Sequence, residues 1–144
     1  MINEDTFYLL QECNSGAQMA VHAIDDILEK IKNQKLYRLL SISKNHHEQL
    51  GSELHELLDK FGDPVKDFSA VFKGMSWIKT NVKLMPGNSD QVCASLITDG
   101  CHMGVKTMHR LLNEFLAADR TARNKAKELI QMEENLACEL KPYL

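Results

Sequence analysis

The chain has 144 residues, a formal net charge of −3 and four cysteines. This length is typical of one domain with its own apolar core, so we predict a single domain over residues 1–144. The mildly acidic charge disfavours nucleic-acid binding through a basic surface, and no stretch approaches the ~20 apolar residues of a membrane span. The cysteines lack metal-binding spacing and the N-terminus is acidic where a signal peptide is basic, which predicts a reduced, cytoplasmic setting.

Apolar residues recur with the period of a helix in four long blocks, and no stretch alternates for long like a half-buried strand. The first block covers 4–32 and the second 36–61, with a weak break between them. The third covers 89–117 and follows the turn at 86–88, with Ser89 as its N-cap candidate. The fourth covers 120–140. We therefore predict an all-α fold, a four-helix bundle.

The connection between the second and third blocks is too long for a simple turn between antiparallel neighbours. Within it, apolar residues from Phe68 to Val82 fall on one side and predict a short helix near 68–84. A connection of this length can run along the bundle, which makes helices 2 and 3 parallel, as in ferritin-like folds. The alternative is a helix that lies across one end of an up-and-down bundle.

The chain resembles an uncharacterised bacterial family of ferritin-like four-helix proteins in four stretches: QEC near the start, HHEQLGSELHELL, KGMSWIKTNVK and LITDGCHMGVK. The resemblance covers almost the whole sequence and consists of packing and turn motifs. It implies a ferritin-like four-helix bundle with a long crossover between helices 2 and 3. It brings no catalytic residues to this sequence.

The ferritin-like class raises the question of a di-iron centre. Such a centre takes a Glu from each of two helices and a Glu-x-x-His from each of the other two. None of the six histidines follows a Glu at that spacing, and only His102 follows an acid, Asp99. Both lie away from the apolar stripe of their helix, where a solvated pair is the simpler interpretation. We predict no complete di-iron site and no cofactor, and iron or another divalent metal is the alternative.

Two polar residues stand at the centres of apolar stripes. His47 lies in the middle of the leucine face of the second block, and Glu133 lies between the leucines of the fourth. An unpartnered buried carboxylate is costly, so we predict that Glu133 pairs with His47, with Asn14 as a second candidate partner. The simpler interpretation is a structural pair that fixes helix register, and the alternative is a metal or small-ligand site on His47 and Glu133.

A second apolar side on the first block predicts an interaction surface, because contiguous exposed apolar residues usually mark a contact. In the connection, Trp77 lies opposite the apolar side of the predicted short helix and is a further candidate. The candidate surface residues are Tyr8, Met19, Ala23, Ile27 and Trp77.

Three functions remain open on the sequence alone. The first is a non-enzymatic, cytoplasmic helical-bundle protein that forms a homo-oligomer. The second is a metal-binding ferritin-like protein or oxidase, suggested by the histidines and by fold analogy. The third is a partner- or lipid-binding bundle, suggested by Trp77 and the second apolar side. The near absence of inward metal ligands favours the first.

Overall fold

The computed structural model describes residues 3–61 and 89–144, and in these ranges the chain is all-helical, without strands. The α-helices are α1 (Glu4–Leu28), α2 (Gln34–Asp59), α3 (Asp90–Glu114) and α4 (Arg120–Leu140), and a 3₁₀ turn follows at Lys141–Tyr143. None of these helices combines the length and apolarity needed to cross a membrane. The predicted helix near 68–84 and Trp77 lie outside the described residues.

Side-chain caps and tightened turns set the helix ends. The Asn33 side chain accepts two backbone N–H bonds, at 2.9 and 3.0 Å, so α2 begins at Gln34, earlier than the predicted residue 36. Asp119 caps α4 in the same way, and α4 begins and ends at the predicted residues. α1 ends at Leu28, before the predicted residue 32, because the backbone there tightens into i→i+3 bonds. α3 ends at Glu114, before the predicted residue 117.

Hydrogen bonds between helix ends show the directions of the four helices. At one end of the bundle, the Asp90 carboxylate at the start of α3 accepts bonds from the backbone N–H groups of Lys32 and Asn33, both at 2.9 Å. At the other end, the backbone N–H of Asp119, just before α4, donates to Thr6 Oγ1 in the first turn of α1 at 2.8 Å. Therefore α1 and α4 run parallel, and α2 and α3 run parallel to each other in the opposite direction.

Two apolar clusters form the core, one toward each end of the bundle. α1 and α4 each contact all three of the other helices, which places them at the centre of the packing. In α2 the change from one cluster to the other falls between Leu40 and Leu50, and in α4 it falls between Ile130 and Leu136. The polar residues His47 and Glu133 occupy this middle level.

The packing of α1 corrects the predicted interaction surface. Met19, Ala23 and Ile27 are buried in the two core clusters and present no second apolar side to solvent. The physical reason is that α1 contacts three helices, so more than one of its sides is covered. Tyr8 is 47% exposed and, of the described candidates, stays at the surface.

Candidate functional site

The imidazole of His47 and the carboxylate of Glu133 meet in the core, between α2 and α4. His47 Nε2 hydrogen-bonds Glu133 Oε1, and the two residues are 1% and 7% exposed. This is the contact that the two apolar stripes predict, since both residues stand near the middle of their helices. It links two helices that are well separated in sequence.

The second ring nitrogen of His47 shows how the pair is protonated. His47 Nδ1 lies 2.8 Å from the backbone carbonyl of Ser43, one turn earlier in α2. A carbonyl can only accept, so Nδ1 carries a hydrogen. The contact between Nε2 and Glu133 then needs one further proton, which is donated either by an imidazolium or by a carboxylic acid. In both cases the pair has no net charge, which removes much of the cost of burying it.

The environment favours the charged form of the histidine. Burial by itself lowers the pKa of His47, because it disfavours the imidazolium. The hydrogen bond with Glu133, the charge of that carboxylate and the Ser43 carbonyl outweigh burial and raise the pKa above the ordinary value of 6.5. The direction of this shift favours the imidazolium form of His47 over the neutral imidazole.

Helix α3 covers another side of the Glu133 carboxylate. Burial, the charge of Glu133 and a hydrogen bond to it raise the pKa of Cys101 far above its usual range, so this side chain stays a thiol. Gly104 lies one turn further along α3, and a Cβ added there would be 3.7 Å from Glu133 Cγ, an ordinary contact. Glu133 is therefore packed directly against the backbone of α3.

Among the described residues, a small cavity and two surface grooves adjoin the pair. A cavity of about 20 Å³ between α1, α3 and α4 is lined by Glu133 and Cys101 and has room for about one water molecule. His47 lines two surface grooves, one of about 320 Å³ between α1 and α2 and one of about 160 Å³ between α2 and α4. His47 is therefore part of the wall of both grooves.

Asn14 is fully buried, but it belongs to a different polar chain. Its Oδ1 accepts a hydrogen bond from Gln18 Nε2 at 3.5 Å, and its Nδ2 has no acceptor among the described residues. Gln18 Nε2 also lies 3.3 Å from His55 Nε2, at the groove between α1 and α2. Gln18 was not a predicted site residue, although its i,i+4 spacing from Asn14 is a signal that the sequence contains.

These residues do not fit a di-iron centre. Both nitrogens of His47 already have partners, and residues 3–61 and 89–144 contain no group of three His, Cys, Asp or Glu side chains that could hold a metal ion. Asp99 and His102, the single acid-x-x-His pair, are both exposed on α3. A metal on His47 and Glu133 would displace the shared proton and gain two protein ligands, fewer than the roughly three of catalytic zinc.

Removing either member of the pair is expected to destabilise the fold strongly. His47→Leu leaves Glu133 Oε1 buried without the imidazole that bonds it, and Glu133→Leu leaves His47 Nε2 buried without its acceptor. Each single substitution should lower the free energy of unfolding by about 3–5 kcal/mol, and the double substitution by much less. Urea denaturation of the four proteins measures the coupling. Additive effects would contradict a direct interaction.

A second ion pair between the same helices provides the control for this cycle. Lys125 Nζ lies 2.7 Å from Glu53 Oε2, and both side chains are partly exposed. Because water screens this pair, the cycle of Lys125→Leu and Glu53→Leu should show a coupling of about 1 kcal/mol or less.

Stability should fall as the pH rises through the raised pKa of His47. Above pH 6.5 the unfolded chain releases a proton that the folded chain still holds on His47. The stabilisation that protonated His47 contributes is therefore complete below pH 6.5, and it is lost as the pH rises through the raised pKa of His47 in the folded protein. Urea denaturation between about pH 6 and pH 9 measures it as the difference between the natural chain and the His47→Leu, Glu133→Leu double variant. The same pH dependence in both proteins would contradict the assignment.

Comparison with known proteins identifies no relative of this chain. No protein-family model, no curated protein and no solved structure matches the chain. What the protein does is therefore inferred from its own side chains and their geometry.

Proposed function

We propose that this chain is a cytoplasmic, ferritin-like four-helix-bundle protein that acts by binding and is not an enzyme. The observation that carries the proposal is the closed pair at its centre. His47 is bonded at both nitrogens, to Glu133 and to the Ser43 carbonyl, so the imidazole has no free nitrogen for substrate or metal. The cytoplasmic location is supported by the free cysteines, because a reducing compartment keeps thiols unpaired.

The directions of the helices support the ferritin-like part of the proposal. The end of α2 lies beside the start of α1, where the rings of Phe61 and Phe7 are 5.2 Å apart. α3 begins at the opposite end, where Asp90 contacts Asn33. α2 therefore ends and α3 begins at opposite ends of the bundle, and this arrangement supports a ferritin-like order of helices. In an up-and-down bundle, α3 would begin where α2 ends.

Metal analysis of the purified protein tests whether the centre is a structural pair. We expect far less than one equivalent of iron, manganese or zinc per chain, because a metal would have to displace the proton between His47 and Glu133. Elemental mass spectrometry with protein quantification is the measurement. A stoichiometric metal that is lost in Glu133→Leu but kept in the exposed control His102→Gln would contradict the proposal and favour the metal-binding alternative.

An apolar patch at one end of the bundle favours self-association as the mode of binding. We name the residues Tyr8, Phe115 and Leu116 the end patch. The rings of Tyr8 and Phe115 are stacked with centroids 6.0 Å apart, and Leu116 is 72% exposed. The turn that carries Leu116 is held against α1, because the Ala117 carbonyl accepts from Asn3 Nδ2 at 2.7 Å. A fixed, exposed apolar patch of this kind is a candidate contact surface.

The end patch predicts a self-association that one substitution disrupts. Leu116→Asp places a charge in the proposed contact and should shift the protein toward monomer. Sedimentation velocity over a range of concentrations is the measurement. Val92→Asp, at an exposed apolar position in the first turn of α3, is the matched control and should leave the distribution unchanged. A natural chain that stays monomeric at high concentration, or equal shifts in both variants, would contradict this surface.

A further inference from the structure

The groove between α1 and α2 is an open space of about 320 Å³ with polar walls. Gln18 and Val21 line it from α1, and Glu48, Gly51, Ser52 and His55 line it from α2. From this lining we propose that the groove binds a small organic cation with N–H donors, of the amidine or guanidine class. The proposal goes beyond the proposed function because it names a ligand class, and it depends neither on metal content nor on self-association.

Gly51 is the first observation that supports a ligand here. It is buried in the middle of α2, yet no described atom lies within 4 Å of the position that a Cβ would occupy. A glycine inside a helix costs about 1 kcal/mol relative to alanine, and the packing of the described residues does not require one at this position. An unfilled glycine in a groove wall lets a ligand approach the backbone closely.

Gln18 and Ser52 offer hydrogen-bond acceptors in this groove. Gln18 Nε2 is directed to Asn14 Oδ1 at 3.5 Å and to His55 Nε2 at 3.3 Å. Gln18 Oε1 makes no hydrogen bond to any described residue, so this oxygen can accept one from a ligand. Ser52 Oγ donates its hydrogen to the Glu48 backbone carbonyl at 3.2 Å, so its lone pairs also accept. The complementary ligand therefore carries several N–H donors.

Glu48 supplies the charge that selects a cation. Its carboxylate is exposed, and its nearest described positive group is Lys44 Nζ at 3.7 Å. Lys44 is bonded more closely to Asp25 Oδ1, at 2.5 Å, so the ammonium does not saturate Glu48. This carboxylate would repel an anionic ligand, and so would the net charge of −3 on the protein. A flat cation can instead donate to Glu48 and Gln18 while it lies over Gly51.

Three probes of the same shape and different charge test the ligand class: benzamidine is cationic, benzamide is neutral and benzoate is anionic. Nuclear magnetic resonance titration follows the side-chain amide of Gln18 and the ring of His55. We expect benzamidine to shift both signals and to bind more tightly than the other two. Equal or tighter binding of benzamide or benzoate, or no shift with benzamidine, would overturn the proposal.

Two substitutions test the site on the same full-length chain. Glu48→Gln should weaken benzamidine binding by up to about fivefold, the range of an exposed ion pair, and Glu56→Gln on the same helix should leave it unchanged. Gly51→Leu fills the groove and should abolish binding; its urea unfolding transition shows that the fold is kept. Unchanged affinity in a folded Gly51→Leu variant, or equal effects of Glu48→Gln and Glu56→Gln, would overturn the site. These outcomes leave metal content and sedimentation unaffected, so a failure here is separate from a failure of the proposed function.

Discussion

Burying a carboxylate among four helices is costly unless its negative charge is neutralised by a proton or by a paired cation. Here the proton lies between His47 and Glu133, and the Ser43 carbonyl orients the imidazole by holding a hydrogen on Nδ1. The pair joins α2 to α4 at the level where one apolar cluster gives way to the other. A shift of one helix along the other would separate the two groups, so the pair selects one register of the bundle.

The same geometry limits the chemistry of the bundle centre. Four helices with inward polar residues invite comparison with di-iron proteins, but a fold supplies a scaffold and its side chains supply the site. Glu133 is enclosed by His47, by the Cys101 thiol and by the backbone near Gly104. Such a carboxylate is well placed to hold helices together and poorly placed to meet a substrate.

The two proposed binding surfaces lie outside the centre, and one of them borders it. His47 lines the groove between α1 and α2 as well as the groove between α2 and α4. The pair that fixes the register of α2 thereby also positions Glu48 and Gly51, which project from the same helix. The end patch is remote from this arrangement, since it lies where α1 begins and α3 ends.

The sequence by itself determined the features that depend on local periodicity. The four helices, the cap at Ser89 and the inward position of His47 and Glu133 follow from spacing along one chain, because a helix fixes which residues share a face. Two long apolar stripes with a polar residue at mid-length leave few other ways to satisfy a buried carboxylate. For this reason the pair could be predicted before the helices were placed.

Only the tertiary structure decided the features that depend on distances between helices. Met19 and Ile27 were expected at an outer surface and are buried, because three helices pack against α1. The sequence of α1 alone does not show how many helices will cover it. Asn14 was expected as a second candidate partner of Glu133, but it instead accepts a hydrogen bond from Gln18 in its own helix. The open space beside Gly51 lies in the groove between α1 and α2, and the separation between two helices has no local signature in a sequence.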